Sequence, residues 1–327
     1  MNFTDNEMCT ILLSSYIGMD ENTETRPLSL GEWHKFVDVL IKNKLEPSIA
    51  YSKEISILKE FGYDDFFLER IKKLVGRGAS VAFELEEYEK KGIHALTFLD
   101  KKYPIMLRRQ LKQKMPPVIF YSGDISLVNN LGIGVVGSRN VTANGIEFTS
   151  QLVRKAVEER LVIFSGGAKG VDITSQTVAL NYGGAVVAYI ADSLVSRIKK
   201  REISKNIEDG KLLLISDLKP DVGFSAGRAM NRNKYIYASA LGTFVVESDA
   251  HKGGTWAGAT EAMKNNWGKV LVWNNDMEGN RKLIEQGGIA YEWNDEKLLD
   301  VISKQQESLG EEEYKQISLM DLMENVN

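Results

Sequence analysis

The 327-residue sequence holds one cysteine, six prolines and three histidines, and each scarcity removes a class of function. With Cys9 alone, no internal disulfide can form and no thiolate cluster can hold zinc, which fits a reducing compartment. Cys9 itself reads as a small buried hydrophobe. His34, His94 and His251 stand singly, with no metal-ligand spacing between them. No stretch reaches the roughly 18 apolar residues that cross a bilayer, and MNFTDNEMCTILLSS has no basic segment ahead of its short apolar run. The expectation is a cytoplasmic protein with no membrane partner. There is no G-x-S-x-G elbow and no Walker A spacing, so a serine hydrolase and a P-loop ATPase are both disfavoured. No catalytic constellation, metal site or cofactor is expected.

What is present belongs to a folded globular chain, with 43% hydrophobic and 26% charged residues. The net charge of -4 argues against a nonspecific polycation, but its distribution is uneven. Residues 97–300 carry about 27 Lys and Arg against about 22 Asp and Glu, whereas the first 96 residues and the tail are acidic. Any affinity for nucleic acid must therefore be local to the middle of the chain.

Three regions are expected. Over residues 1–96 apolar residues recur at helical spacing: Trp33, Phe36, Val37, Leu40 and Ile41 behind a Ser29 cap, then Phe66, Phe67, Ile71 and Leu74, then Ala79 to Lys90. These predict a small all-helical domain. An extended lead-in follows, with Pro116-Pro117 ahead of Val118–Tyr121. From Ile133 the pattern changes to short apolar runs without alternation: Ile133–Val136, Leu161–Phe164, Ala185–Ile190, Leu212–Ile215, Thr243–Val246 and Val270–Val272. Such runs are buried on both faces, so residues 97–300 predict an α/β domain with a doubly wound, mostly parallel sheet of about six strands. Residues 301–327 read as an acidic C-terminal tail.

Open parallel sheets bind ligands beyond the carboxyl ends of their strands. Gly137-Ser138-Arg139-Asn140 follows the first run, Ser165-Gly166-Gly167-Ala168-Lys169-Gly170-Val171-Asp172 the second, and Lys252-Gly253-Gly254-Thr255 the fifth. Asn231-Arg232-Asn233-Lys234 precedes the fifth and reads as opening a helix. Glycines let main-chain amides approach an oxyanion, helix N-termini add positive partial charge, and Ser, Thr, Arg and Lys supply further donors. Gly132-Ile133-Gly134-Val135-Val136-Gly137 spells the dinucleotide fingerprint G-x-G-x-x-G, but its middle residues are the strand itself, so it should not hold a dinucleotide. Asp172 is expected to cap the helix after its loop, and Glu247, at the end of an apolar strand, needs a hydrogen-bond donor.

The order Val135-Val136-Gly137-Ser138-Arg139, Thr142, Gly145, then Ser165 to Asp172, then Arg232-Asn233-Lys234 with Ile236 resembles the motifs of the DNA-processing protein A (DprA/Smf) family. Tyr103-Pro104 to Leu107 and Pro116-Pro117-Val118 look like that family too, and the likeness covers about residues 100–275. It implies a Rossmann-like domain that binds single-stranded DNA in a basic pocket, forms a homodimer, and helps load a RecA-type recombinase during natural transformation, without catalysis. Residues 1–96 would correspond to the family's frequent small SAM-like helical domain. By the same likeness Arg139, Lys169, Arg232 and Lys234 would meet phosphates. Gly137, Ser138, Ser165, Gly166, Gly167, Gly253, Gly254 and Thr255 would supply amides and hydroxyls, with Ala168, Gly170, Asp172 and Asn233 completing the loops. Lys234 stands where the family more often has arginine, a point charge in place of a fork. The last loop, His251-Lys252-Gly253-Gly254-Thr255-Trp256-Ala257-Gly258-Ala259, resembles a divergent branch of the family, and with too few residues after the sheet for the roughly 60 of a C-terminal winged helix, a branch without that module is expected.

The alternative is a nucleotide sensor or an enzyme like the nucleoside-monophosphate phosphoribohydrolases, which also use a Gly-Gly-Thr loop. Those place a catalytic glutamate within about three residues of the threonine. Here Glu261 comes six residues after Thr255.

Overall fold

The computed structural model describes residues 3–19 and 24–304. Nine strands form one sheet: β1 (His94–Thr97), β2 (Val118–Ser122), β3 (Gly132–Val136), β4 (Val162–Ser165), β5 (Val186–Tyr189), β6 (Leu212–Ser216), β7 (Gly242–Val245), β8 (Lys269–Trp273) and β9 (Ile289–Tyr291). Their spatial order is β1-β2-β6-β5-β4-β3-β7-β8-β9. The seven strands from β6 to β9 are parallel, while β1 and β2 add an antiparallel edge.

All six predicted runs are strands. β2 lies where only an extended lead-in is predicted, and β1 and β9 have no counterpart in the sequence reading. The reason is physical: β9 has three residues and β1 four, both at sheet edges, too short to show a period against their flanks. The fingerprint-like stretch is β3 itself, fully buried, with Gly132 opposite Val162 and Gly134 opposite both Phe164 and Thr243.

Along the parallel strands, successive side chains enter cores on opposite faces. Val162, Phe164, Val187, Tyr189, Leu213 and Ile215 share one core with helices Ala226–Ser239 and Gly253–Asn265. Ile163, Val186, Ala188, Leu212 and Leu214 share the other with helices Ala143–Glu158 and Val171–Asn181. The crossover helices switch face where the chain leaves β6 and crosses to β7. The strand order therefore reverses between β3 and β7, and such a switch point opens a crevice at the carboxyl ends.

The N-terminal helices Asp5–Ser14, Leu30–Lys42, Asp65–Val75 and Gly78–Glu89 pack around the β1–β2 edge and feed both cores: Trp33, Phe36 and Leu40 one, Val81, Leu85 and Tyr88 the other. Capping boxes Thr4/Glu7 and Ser29/Glu32 start the first two of these helices. Phe66 departs from its predicted stripe. It is 80% exposed, and Leu68 is buried with Ile71 and Leu74 instead. Cys9 is buried, as expected. Helix Leu298–Lys304 ends the described chain, so all but the first four residues of the predicted acidic tail lie outside the described residues. No helix among the described residues is long and apolar enough to cross a membrane.

Candidate functional site

The loops after β3, β4 and β7 meet at the switch point. Gly137 to Asn140, Ala168, Asp172 and Lys252 to Thr255 line one cleft of about 380 Å³, with Ala226, Met230, Arg232, Asn233 and Tyr237 from helix Ala226–Ser239 closing it. A second hollow of about 560 Å³ adjoins it and shares Arg139, Ala168 and Arg232, adding Gly166, Gly167, Lys169, Arg197, Lys200 and Phe224. Together they form one groove across the carboxyl ends of β7, β3, β4 and β5.

The groove's shape follows from two glycines and two carboxylates. Gly170 has φ +78°, and a Cβ on it would lie 2.2 Å from the Ser138 carbonyl, so only glycine lets the β3 and β4 loops touch there. A Cβ on Gly166 would lie 1.3 Å from Arg232 Nη1, so the guanidinium rests directly on that glycine. Glu247, at the end of β7, is buried and receives hydrogen bonds from the Thr142 amide at 3.0 Å and from the Thr142 hydroxyl. The Glu247 carbonyl accepts from Ser138 N at 2.8 Å. The donor that Glu247 needs is therefore Thr142, and the residue fixes the β3 loop.

Asp172 does not cap its helix. Gly170 is the N-cap of Val171–Asn181, without a side-chain cap bond. The Asp172 carboxylate instead folds back to accept from Ala168 N at 3.3 Å and faces Arg232 Nη1 at 3.8 Å. Burial pushes the Asp172 carboxyl up and the Arg232 guanidinium down, each opposed by the other's charge.

Asn231-Arg232-Asn233-Lys234 does not open a helix either. Ser225 is the cap, accepting from Arg228 N, and the four residues lie in the helix interior. Because residues two apart are about 200° apart on a helix, Arg232 and Lys234 point away from each other. Arg232 faces the groove, and Asn233 donates to the Gly254 carbonyl at 2.9 Å, pinning the β7 loop. Lys234 does not line the groove: its Nζ donates to Asn231 Oδ1, and it borders a separate cavity with Pro116, Pro117 and Asp217. Burial lowers its pKa. Ser165 is wholly buried, its hydroxyl within 3.4 Å of both Ser175 Oγ and the Asp172 carbonyl, beneath the loop rather than in the groove. The remaining predicted residues, Gly137, Ser138, Arg139, Gly166, Gly167, Ala168, Lys169, Gly253, Gly254 and Thr255, line it.

The groove also holds residues that no motif marks. Arg197 grips Asp192 with bonds of 2.9 to 3.1 Å, and also donates to the Gly167 carbonyl. Phe224, 57% exposed, lies under the Arg139 guanidinium at 5.6 Å. Beneath the loops, buried polar atoms stand without a hydrogen-bond partner: Arg232 Nε and Nη1, Tyr237 Oη and Gln176 Nε2, the last beside Gly167. Such atoms are costly in a finished core and suit a site built for an external acceptor. Among the described residues no group of His, Cys, Asp and Glu could hold a metal ion.

Residues 94–303, the whole sheet with its crossovers, match the sequence model of DNA recombination-mediator protein A. The chain belongs to that family. It is 27% identical over 222 residues to the DNA processing protein DprA of Bacillus subtilis, covering 66% of this chain and 73% of that protein. It is 29% identical over 141 residues to DprA of Streptococcus pneumoniae, and 25% over 198 residues to Protein Smf of Synechocystis, in each case spanning 49% of the relative's length. Two solved structures share the fold. DprA from S. pneumoniae aligns with a TM-score of 0.68 and 21% identity over 89% of this chain and 95% of its own. DNA processing protein A from Helicobacter pylori, described for its single-stranded DNA binding mode, aligns with a TM-score of 0.52 and 22% identity over 66% and 96%.

Proposed function

We propose that the groove binds the sugar–phosphate backbone of single-stranded DNA without catalysis, and that the chain serves DNA processing in this way. The observation that carries the reading is Arg232: a guanidinium seated on Gly166, buried at the groove floor, with Nε and Nη1 without a hydrogen-bond partner and only a long ion pair to Asp172 at 3.8 Å. A phosphate oxygen is the acceptor whose charge and geometry suit that fork. Arg139, Lys169 and Lys252 are exposed around it, and helix Gly253–Asn265 starts at the groove without a side-chain cap, leaving first-turn amides for a second phosphate. Glu261, the glutamate a phosphoribohydrolase-like reading would need, pairs with Lys114 at 3.2 Å and does not line the groove. Delivery of the strand to a RecA-type recombinase, a role in transformation and a homodimeric state extend the proposal on family membership.

The test is fluorescence anisotropy of a labelled oligonucleotide across a salt series. Log affinity should fall linearly with log salt, by about 0.7 per phosphate neutralised. Single strands should bind tighter than duplex, and Arg139→Ala/Arg232→Ala should lose at least about tenfold, the worth of one charged hydrogen bond. Salt-insensitive binding, or an unchanged double variant, would place the site elsewhere.

A further inference from the structure

The segment after β5 carries a basic run, Arg197, Lys199, Lys200, Arg201 and Lys205, that the groove absorbs only in part. Arg197 and Lys200 line the groove. Lys199, Lys200, Arg201 and Lys205 are exposed, and none has an ion-pair partner. Some exposed lysines elsewhere find carboxylates, such as Lys90 with Glu86 and Glu87, while others stand alone; what sets this run apart is that four unpaired cations lie within seven residues beside the groove. Asp192 at the groove edge is already held by Arg197, and Glu202, within the run, forms no ion pair with its cations.

The run is also poorly placed for the helix it starts. Helix Arg201–Glu208 has Lys200 as its N-cap, without a side-chain cap bond, and Asp209 as its C-cap. Lys199, Lys200 and Arg201 sit at the positive end of the helix dipole, and Glu208 and Asp209 at the negative end. Only Glu202 and Lys205 follow the favoured order, and each misplaced charge costs a few tenths of a kcal/mol. Ile203 and Ile207 pack this helix on the core, but Lys199, Lys200, Arg201 and Lys205 lie outside that apolar face and are exposed. A basic cluster that neither pairs nor stabilises its own helix, and that abuts the groove, is suited to an anionic partner from outside.

Place in the sheet supplies the partner's shape. β5 follows β4 and β3 in the sheet, so Arg139, Lys169 and then Arg197 with Lys200 stand on consecutive loops. Neighbouring strands lie about 4.8 Å apart, which makes β7 to β5 a track of roughly 14 Å. The basic run continues that track at its β5 end. We infer that a single strand bound in the groove leaves it over Lys199, Lys200 and Arg201 and passes Lys205, so that this chain's footprint is two to three phosphates longer than the groove alone. This rests on the single-strand reading above.

The experiment compares oligonucleotides of about six and about twenty nucleotides, within the range of single-strand site sizes, binding to the full chain and to Lys199→Ala/Arg201→Ala/Lys205→Ala, which leaves the groove-lining Lys200 in place. All three side chains are exposed, and the variant's melting curve checks that the fold is kept. The variant should bind the long oligonucleotide roughly tenfold more weakly, with a salt slope smaller by about 2, three phosphates at 0.7 each. Its affinity for the short one should change less than about threefold. Equal losses on both lengths, or equal slopes for variant and parent, would overturn the extension while leaving the groove intact. Failure of the parent chain to bind either oligonucleotide would remove the groove and the extension together.

Discussion

Three arginines, Arg70, Arg77 and Arg232, divide the molecule in two by what their guanidinium groups meet. In the helical region, Arg77 donates to the carbonyls of Leu12, Ile17 and Leu74, and Arg70 to those of Arg26 and Pro27 as well as both Glu32 oxygens. Each ties together segments distant in sequence, and each has its donors engaged. At the switch point Arg232 is more deeply buried than either, yet its Nε and Nη1 have no hydrogen-bond partner and the Asp172 carboxylate stands 3.8 Å away. An arginine whose fork is closed by carbonyls holds a fold together; one whose fork is open on a groove floor is set for something that arrives later.

The largest effect expected from this contrast is on stability. Arg77→Met leaves the carbonyls of Leu12, Ile17 and Leu74 without their donor and should cost about 3 kcal/mol in urea unfolding, at roughly 1 kcal/mol for each lost bond. Oligonucleotide affinity at low temperature should stay within twofold. A stable Arg77→Met protein would break the comparison at its structural end.

Arg232→Met should do the reverse. No hydrogen bond to Nε or Nη1 is lost, and Asp172, already pushed toward its protonated form by burial, keeps its bond from Ala168 N. Asp172 loses its counter-charge at 3.8 Å, so the stability cost is that of one long ion pair and should stay below that of Arg77→Met, while affinity for single strands falls ten- to a hundredfold, about 1.4–2.7 kcal/mol for a charge-assisted fork. If unfolding suffers and binding does not, Arg232 belongs with Arg70 and Arg77.

How much of this was legible in the sequence follows the same division. The six central strands could be read because parallel strands buried on both faces give unbroken apolar runs, and their order placed three glycine loops at one edge. Arg232 could be named, but not its setting, because Gly223-Phe224-Ser225 hides a helix start five residues before the expected one. Lys234, two residues on and about 200° round the same helix, then leaves the groove. Gln176 and Tyr237 gave no signal, since a buried glutamine and a buried tyrosine look like any helix interior until their neighbours are known. The family resemblance carried the motifs in order, yet the basic run after β5 lies outside those motifs and became visible only once Asp192 was seen to be taken by Arg197.

The smallest effect lies at the edge of the closed-fork region and depends on pH. The Arg70 guanidinium beside Glu32 holds its carboxyl down at about 2, against an ordinary value of 4.5. A carboxyl depressed in the folded state adds stability that is present above its unfolded pKa and lost as pH falls toward the folded one, here between about 4.5 and 2. Glu32 is 43% exposed, so solvent screens much of this, and the pair is worth a fraction of what the pKa difference alone suggests. Glu32→Gln keeps an acceptor for the Ser29 amide but removes the charge. Urea unfolding at pH 7, 4 and 2.5 should therefore show the variant less stable than the parent at pH 7 and the gap narrowing by pH 2.5. Parallel curves would mean that Arg70 is held by the Arg26 and Pro27 carbonyls alone, a closed fork that does not need its carboxylate.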